Sequence, residues 1–489
     1  MIKHNVIYCI LAATLAGCSL TPSYERPALP TSASYPGVTG TQVSVDIAQL
    51  GWRDFFADPR LHELIVQAID NNRDLRIAIQ RMEEARAQYG IQRSELLPTI
   101  SAGALGIRAR IPSDLSSTGS SSTFSAYTAN LNISTWELDF WGRIRSLKEA
   151  ALESYLGTEE ARRAVIVSLV AQVANSYLLE RELDERIAIA QKTIVSREES
   201  YRITRRRYEV GWSPKLDAAQ ADALLNQARA DWTVFQRLRE QNRNALTLLV
   251  GIPVAHDVRQ LSEIEAGFVR EISAGLPSDL LNNRPDILAA EHRLKSANAN
   301  IGAARAAFFP SITLTGALGL ASSELDNLFD AGSRIWAFMP NLSLPIFTGG
   351  RLTASLDLSK ARRNEAVADY ERTIQNAFRE VADALAERRW LAEQVTAQQA
   401  TLAAENERLR LARLRYETGA VPYLEVLDAE RDRFNAEQAL VQTRRALLSS
   451  RVNLYSALGG GAVDKAQSVG ANDFAPTPEE PAPEEKEKK

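Results

Sequence analysis

From Leu61 onward, apolar residues recur at steps of three and four. Leu61, Leu64, Ile65, Ala68 and Ile69 mark one face of a helix that the pattern carries to Leu96, with Pro98 ending it. The period then changes to two. In Ser101–Ile111 the odd positions Gly103, Leu105, Ile107, Ala109 and Ile111 form an apolar set, and Arg108 and Arg110 fall on even positions. After a Ser- and Gly-rich loop over 112–122, Ala129, Leu131 and Ile133 alternate with Asn130, Asn132 and Ser134, and the segment finishes on Trp136, Phe140 and Trp141. This predicts one long strand hairpin. No Pro interrupts Arg143 to Glu209, where Leu183, Ile187, Ala190 and Ile194 keep coiled-coil spacing. The spacing predicts a single helix about 100 Å long.

The same plan then repeats. Arg207-Tyr-Glu-Val-Gly-Trp-Ser-Pro-Lys-Leu-Asp217 returns as Arg415-Tyr-Glu-Thr-Gly-Ala-Val-Pro-Tyr-Leu-Glu425. Each copy holds a Gly that permits positive φ at a helix end and, three residues on, a Pro suited to the first turn of the next helix. Each therefore reads as a tight helix reversal. Ile312, Leu314, Leu318 and Leu320 alternate with Thr313, Thr315, Ala317 and Gly319, and Leu342, Leu344 and Ile346 alternate with Asn341 and Ser343. A second Pro-free stretch runs from Arg351 to Glu417. Both hairpins are apolar on one face and polar on the other, with aromatics near their ends, the pattern of transmembrane barrel strands. Four strands cannot close a barrel, and open edges do not persist in lipid. Cyclic association must then complete the wall. Three copies give twelve strands and twelve helical columns; two give eight strands, so the count stays open on this reasoning alone.

Net charge is −4, which gives no electrostatic reason to expect nucleic acid. His4, His62, His256 and His292 are scattered without metal-ligand spacing, and no phosphate-loop, nucleophile-elbow or zincin pattern occurs. No cofactor or catalytic chemistry is expected. An apolar run, Val6 to Leu15, follows Lys3 and is too short to span a bilayer, as in a signal peptide. It ends Leu15-Ala16-Gly17-Cys18, which resembles the bacterial lipoprotein box. The resemblance implies cleavage before Cys18 and a covalent lipid on its thiol. Ser19 follows in place of the Asp that retains lipoproteins in the inner membrane, which favours the outer one. Only Met82 and Met339 remain after processing, which argues against a methionine-based copper relay.

The chain thus divides into a lipoprotein-type signal peptide (1–17), a lipid-anchored tether and connector (18–60), repeat 1 (61–250), an equatorial linker (251–285), repeat 2 (286–458) and a tail (459–489). The tail is rich in Pro, Glu and Lys and is expected to be disordered.

Several of these stretches together resemble the outer-membrane efflux factors, the TolC-like channel-tunnels, and their lipid-anchored drug-efflux branch in particular. They are the lipobox at Cys18, Tyr24-Glu-Arg-Pro27, Trp52-Arg-Asp-Phe-Phe56, Asn72-Arg-Asp-Leu75, Asn283-Arg-Pro-Asp286, Phe308-Phe-Pro-Ser311, Phe347-Thr-Gly-Gly350 and the two reversals. The resemblance implies a mainly α chain with membrane β strands. Its homotrimer would form a 12-stranded outer-membrane β-barrel continued by a 12-helix periplasmic α-barrel. It also implies a periplasmic adaptor, an inner-membrane pump of the resistance-nodulation-division type and passage of small amphiphilic molecules. The reversals become docking candidates for the adaptor, at Arg207, Tyr208, Gly211, Pro214, Arg415, Tyr416, Gly419 and Pro422. Turn chemistry alone also explains the Gly and Pro. Past the second reversal, Glu425, Asp428 and Asp432 step along one helix face beside Arg431. Asp428 resembles the family's acidic ring residue at a periplasmic gate. Repeat 1 keeps Asp217 opposite Glu425 but has Gln220 opposite Asp428, which argues against a ring of six carboxylates. A solvated acidic face with Arg partners is the plain alternative. Two other functions compete: a periplasmic adaptor-type lipoprotein, and the same channel serving protein secretion.

Overall fold

A computed structural model of the chain describes residues 19–36, 50–116, 119–255, 257–272, 275 and 277–461. Cys18, the signal segment and most of the tail lie outside the described residues. In chain order the helices and strands are α1 (Trp52–Phe55), α2 (Pro59–Asn71), α3 (Arg73–Ser94), β1 (Ile100–Ile111), β2 (Ser122–Leu138), α4 (Arg143–Glu209), α5 (Lys215–Val250), α6 (Leu261–Ile264), α7 (Leu280–Asn283), α8 (Pro285–Ala306), β3 (Ser311–Ser322), β4 (Arg334–Ser343), α9 (Arg351–Glu417) and α10 (Tyr423–Ala457). Two compact units share them. The first is built from Ile77–Arg162 and Asp286–Asn376 with the start of the chain, the second from Ser32–Arg76, Arg163–Pro285 and Ala377 onward.

The first unit holds one antiparallel sheet in the order β1-β2-β3-β4. Both hairpin loops leave the sheet at one end. All four helix connections leave at the other. Paired residues in an antiparallel ladder share a face, so the register sorts the side chains. Leu131 pairs with Leu318, and Leu318 with Trp336; Leu314 pairs with Trp136 and with Pro340. One face is therefore apolar and largely exposed within the chain, with Trp336 77% and Leu318 65% accessible. The opposite face carries Asn130, Asn132, Thr313, Thr315 and Asn341, with Asn132 donating to Asn130 at 2.7 Å. A register shift between Ile133 and Trp136 keeps β2 apolar on one side past the bulge. At the helix end, Trp141 stacks on Phe309 at 4.8 Å and donates to the Pro310 carbonyl at 2.8 Å. Aromatics of this kind suit a membrane rim.

β1 departs from its expected orientation. Leu105 pairs with Thr128, Gly103 with Asn130 and Ser101 with Asn132, so the odd positions lie on the polar face. Ile100, Ala102, Ala104, Gly106, Arg108 and Arg110 lie on the apolar one. Alternation tells which residues of a strand share a face, not which face it is. The outward set in β1 is small, and Tyr127 of β2 covers Gly106, where a Cβ would sit 3.3 Å from the ring.

The predicted Leu61–Leu96 helix is two helices, and the break between them belongs to the second unit. Asn72 stands between them with extended backbone (φ −61°, ψ 132°). Its Oδ1 accepts from the Leu75 N–H at 2.9 Å, and its Nδ2 donates to the Leu249 carbonyl at 2.9 Å. The side chain thus caps α3 and ties it to the end of α5. Arg284, its counterpart in repeat 2, likewise separates α7 from α8 (φ −91°, ψ 117°). Around these breaks Phe55 stacks on Tyr455 with centroids 3.9 Å apart, and the Tyr455 hydroxyl donates to the Leu50 carbonyl at 2.6 Å. Further along, Ile187 and Ala190 of α4, Phe235 of α5 and Phe434 of α10 form one buried cluster.

Candidate functional site

Both reversals close by the same backbone geometry. In the first, Gly211 has φ 80°, its N–H donates to the Tyr208 carbonyl at 2.9 Å, and the Trp212 N–H donates to the Arg207 carbonyl at 2.8 Å. In the second, Gly419 has φ 73°, with Gly419 to Tyr416 and Ala420 to Arg415 both at 2.9 Å. This is the Schellman arrangement, which satisfies the last carbonyls of a helix. Open space surrounds a Cβ built on either Gly, so backbone conformation alone selects glycine there. Pro214 and Pro422 stand one residue before the helices they precede, as N-caps with ψ 150° and 153°, not inside the first turn.

The side chains of the two reversals diverge. Tyr416 packs against Tyr423 at 4.8 Å and over the Leu409, Ala412, Val426 and Ala429 cluster. Tyr208 is 43% exposed, and beside it Trp212 is 84% exposed, an indole at the turn with no counterpart in repeat 2, which has Ala420 there. Arg207 reaches across from one repeat to the other. Its guanidinium donates to the Tyr416 hydroxyl and sits 5.2 Å from that ring's centroid. One cation–aromatic contact and one hydrogen bond join the repeats further along: Arg197 lies 5.3 Å from the Phe434 ring, and Arg186, itself 4.2 Å from Phe235 of its own repeat, donates to Gln438 at 2.7 Å.

The acidic stripe is paired within the chain. Arg415 meets Glu425 at 3.2 Å, and Arg408 meets Asp432 at 2.7 Å. Arg431 meets Asp428 at 2.9 Å and Asp432 at 3.1 Å. Arg408 and Arg415 are two helical turns apart on α9, as Glu425 and Asp432 are on α10, so an antiparallel hairpin brings them together as rungs. Arg408 was the missing partner; its heptad spacing from Arg415 was the signal. Burial pushes the Asp432 carboxyl up, but Arg408 and Arg431 together outweigh that and hold it below the usual carboxylate range. Asp217 makes no ion pair among the described residues. Repeat 1 has Ser200 and Leu224 where repeat 2 has Arg408 and Asp432, so the first hairpin lacks that rung.

The start of the described chain lies in an extended path on the first unit. Glu291, 3% exposed at its side chain, accepts from Arg26 at 2.8 Å and 3.1 Å and from the Tyr24 hydroxyl at 3.1 Å. Asn298 donates to the Pro22 carbonyl at 2.8 Å, Thr21 meets Ser146 at 3.0 Å, and Arg305 donates to the Leu20 carbonyl at 3.2 Å. Ser146 is in the first turn of α4, just after β2, and Arg305 is in the last turn of α8, just before β3. Residues 20 and 21 therefore sit where helices give way to strands. Cys18 itself lies outside the described residues.

A four-stranded membrane-type sheet whose edge strands find no further partner among the described residues, joined along the chain to long helical hairpins, defines a channel subunit. Solved structures share this arrangement. The open-state MtrE outer membrane channel of Neisseria gonorrhoeae matches with TM-score 0.83 at 41% identity over 91% of this chain and 99% of that one. A membrane protein from Pseudomonas aeruginosa matches with TM-score 0.86 at 44% identity over 90% and 100%. Among curated relatives, the toluene efflux pump outer membrane protein TtgC of Pseudomonas putida is 46% identical over 465 residues, 94% of this chain and 96% of the relative. OprJ of Pseudomonas aeruginosa is 45% identical over 456 residues, 92% and 95%. The model of the outer membrane efflux protein family matches residues 64–252 and 276–460, and the chain belongs to that family. It is an outer-membrane efflux channel subunit, not an enzyme and not an adaptor-type lipoprotein.

Proposed function

We propose that three copies of this chain close into one duct that receives small amphiphilic molecules from a periplasmic adaptor and an inner-membrane pump of the resistance-nodulation-division type. The observation that carries the closure is the pair of open edges. Among the described residues β1 and β4 have no outer partner, and lipid does not tolerate unsatisfied strand edges. Pairing β4 of one copy with β1 of the next removes every edge after one turn of a cyclic ring. The cargo class follows the relatives, whose names include antibiotic, toluene and solvent efflux. The docked tether supports a lipid on Cys18, because it delivers residue 20 to the helix–strand boundary, where a membrane surface would lie. The two reversals are the surface offered to the adaptor, and Asp428, with Glu425 and Asp432 held by Arg415, Arg408 and Arg431, lines the gate. Opening would exchange the Arg207–Tyr416 link and these ion pairs for solvent.

The test of the duct is dye and antibiotic accumulation in a strain lacking the chain, together with a heat-modifiable trimer on a gel. Unchanged accumulation, or a monomer stable without detergent, removes the proposal. For the gate, Asp428→Asn is expected to change single-channel cation selectivity and block by multivalent cations. If both stay as in wild type, Asp428 is not at the constriction.

A further inference from the structure

The four strands carry only four charged residues, and they are sorted. Glu137, the one acid, is at the helix end on the polar face and pairs with Arg143 at 2.7 Å. Arg108, Arg110 and Arg334 are all in the halves of their strands nearer the hairpin loops, and the register puts all three on the apolar face. Arg108 pairs with Ser125 and Arg110 with Thr123, on the Tyr127 side of β2, and Arg334 pairs with Leu320, beside Trp336 and Leu318. All three are exposed, and none makes an ion pair among the described residues; Arg110 donates to Ser121 at 3.2 Å. The cations stand on β1 and β4, the two edge strands. Ring closure would make those strands neighbours, so each seam would gather three guanidiniums on one lipid-facing surface.

We propose that each seam binds the phosphorylated headgroup of an outer-leaflet lipid. An apolar surface bearing Trp336, Phe338 and Tyr127 accepts acyl chains. A guanidinium fork is the side chain best matched to phosphate oxygens, and it is weakly hydrated enough to work at a headgroup boundary. The acidic residues nearby, Asp114, Glu324, Asp326 and Asp330, belong to the loops beyond the strands and not to this face. The sharing of a site between two copies rests on the proposed ring; the outward placement of Arg108 and Arg110 does not.

The experiment is native mass spectrometry of the full chain, purified in detergent and incubated with bisphosphorylated lipid A, with its dephosphorylated form, or with phosphatidylglycerol. Wild type is expected to retain the bisphosphorylated lipid over the dephosphorylated one, with up to one per chain. The triple variant R108S/R110S/R334S is expected to lose affinity by about fivefold per arginine removed. R108K/R110K/R334K should recover part of it, since charge returns without the fork. If the triple variant does not assemble, R108S and R334S are measured singly. Equal retention of the two lipid A forms, or undiminished retention by the serine variants, overturns the proposal. Stronger retention of phosphatidylglycerol than of lipid A would assign the site to the wrong lipid and overturn it as well. The mass of the particle reads the ring separately: a monomer that still binds lipid through Arg108 and Arg110 removes the trimer and leaves the site.

Discussion

At the scale of single residues, Gly419 and Gly211 combine positive φ with open surroundings, so a small side chain there meets strain and no clash. Gly419→Ala is expected to cost about 1–2 kcal/mol, the usual penalty for an L-residue in that region, seen as a lower midpoint in denaturant with an unchanged slope. A larger loss would mean that the second reversal is packed against something in the assembled channel. Glu291 makes the opposite kind of demand. Burial raises its carboxyl, but Arg26, Lys295 and the Tyr24 hydroxyl more than compensate, and it is held below the ordinary carboxylate value. A depressed carboxyl contributes stability above its unfolded pKa of about 4.3 and loses it as pH falls through the lowered folded value. Tether docking, followed by protease cleavage within residues 19–26, should therefore hold at neutral pH and weaken only below the unfolded value. Glu291→Gln should flatten that acid limb. A limb that persists in Glu291→Gln belongs to other carboxylates.

At the scale of elements, the second helix hairpin is laced near its turn by Arg415–Glu425 and Arg408–Asp432, whereas the first is joined further from its turn, by Arg229–Glu198 and Arg239–Asp184. Each exposed rung contributes about 0.2–1 kcal/mol, so either charge reversal alone should destabilise slightly, and R415E/E425R together should recover most of the loss in a double-mutant cycle. Additive effects would show that the rung is a crystallographic-style proximity without coupling. The sheet permits a sharper test of which side faces lipid. Leu318→Arg is expected to cost about 2–4 kcal/mol near the midplane, and Thr315→Arg, on the other face, far less. Much of this was legible in the sequence. The two Pro-free helices, the four strands and both reversals follow from periodicity and from Gly and Pro placement, because each is a local demand of the backbone. What escaped was set by distant partners. The break at Asn72 needs the Leu249 carbonyl, the face of β1 needs the register with β2, and the pairing of Asp432 needs Arg408 from the preceding helix. Two of the three leave a partial trace: Asn72 is a residue type suited to cap a helix, and the heptad spacing of Arg408–Arg415 matches that of Glu425–Asp432, whereas the face of β1 leaves none.

For the whole molecule, two devices would hold the proposed ring in the outer membrane: the lipid proposed on Cys18 and the apolar face of the sheet. They differ in when they act. Before closure each chain exposes two strand edges and a lipid-facing surface with Trp336, Leu318 and Leu131, which in water invites aggregation. Fatty acyl chains, at about 0.8 kcal/mol per buried methylene, can keep the open subunit on the membrane while it waits for its partners. The docked tether, from Leu20 to Arg26, would then bring the proposed anchor to the end of the sheet from which the helices leave. After closure the edges would be gone, and the proposed twelve-stranded surface would hold itself in lipid. Cys18→Ala should therefore leave a trimer of ordinary heat stability in the outer-membrane fraction, but in lower yield and after a longer lag in a pulse–chase. Arg26→Ala, with the lipid intact but the tether loosened, should show a milder lag of the same kind. A Cys18→Ala chain that appears only as unassembled material would mean that the acyl anchor is needed for closure itself, and equal assembly kinetics in all three proteins would mean that neither lipid nor tether guides it.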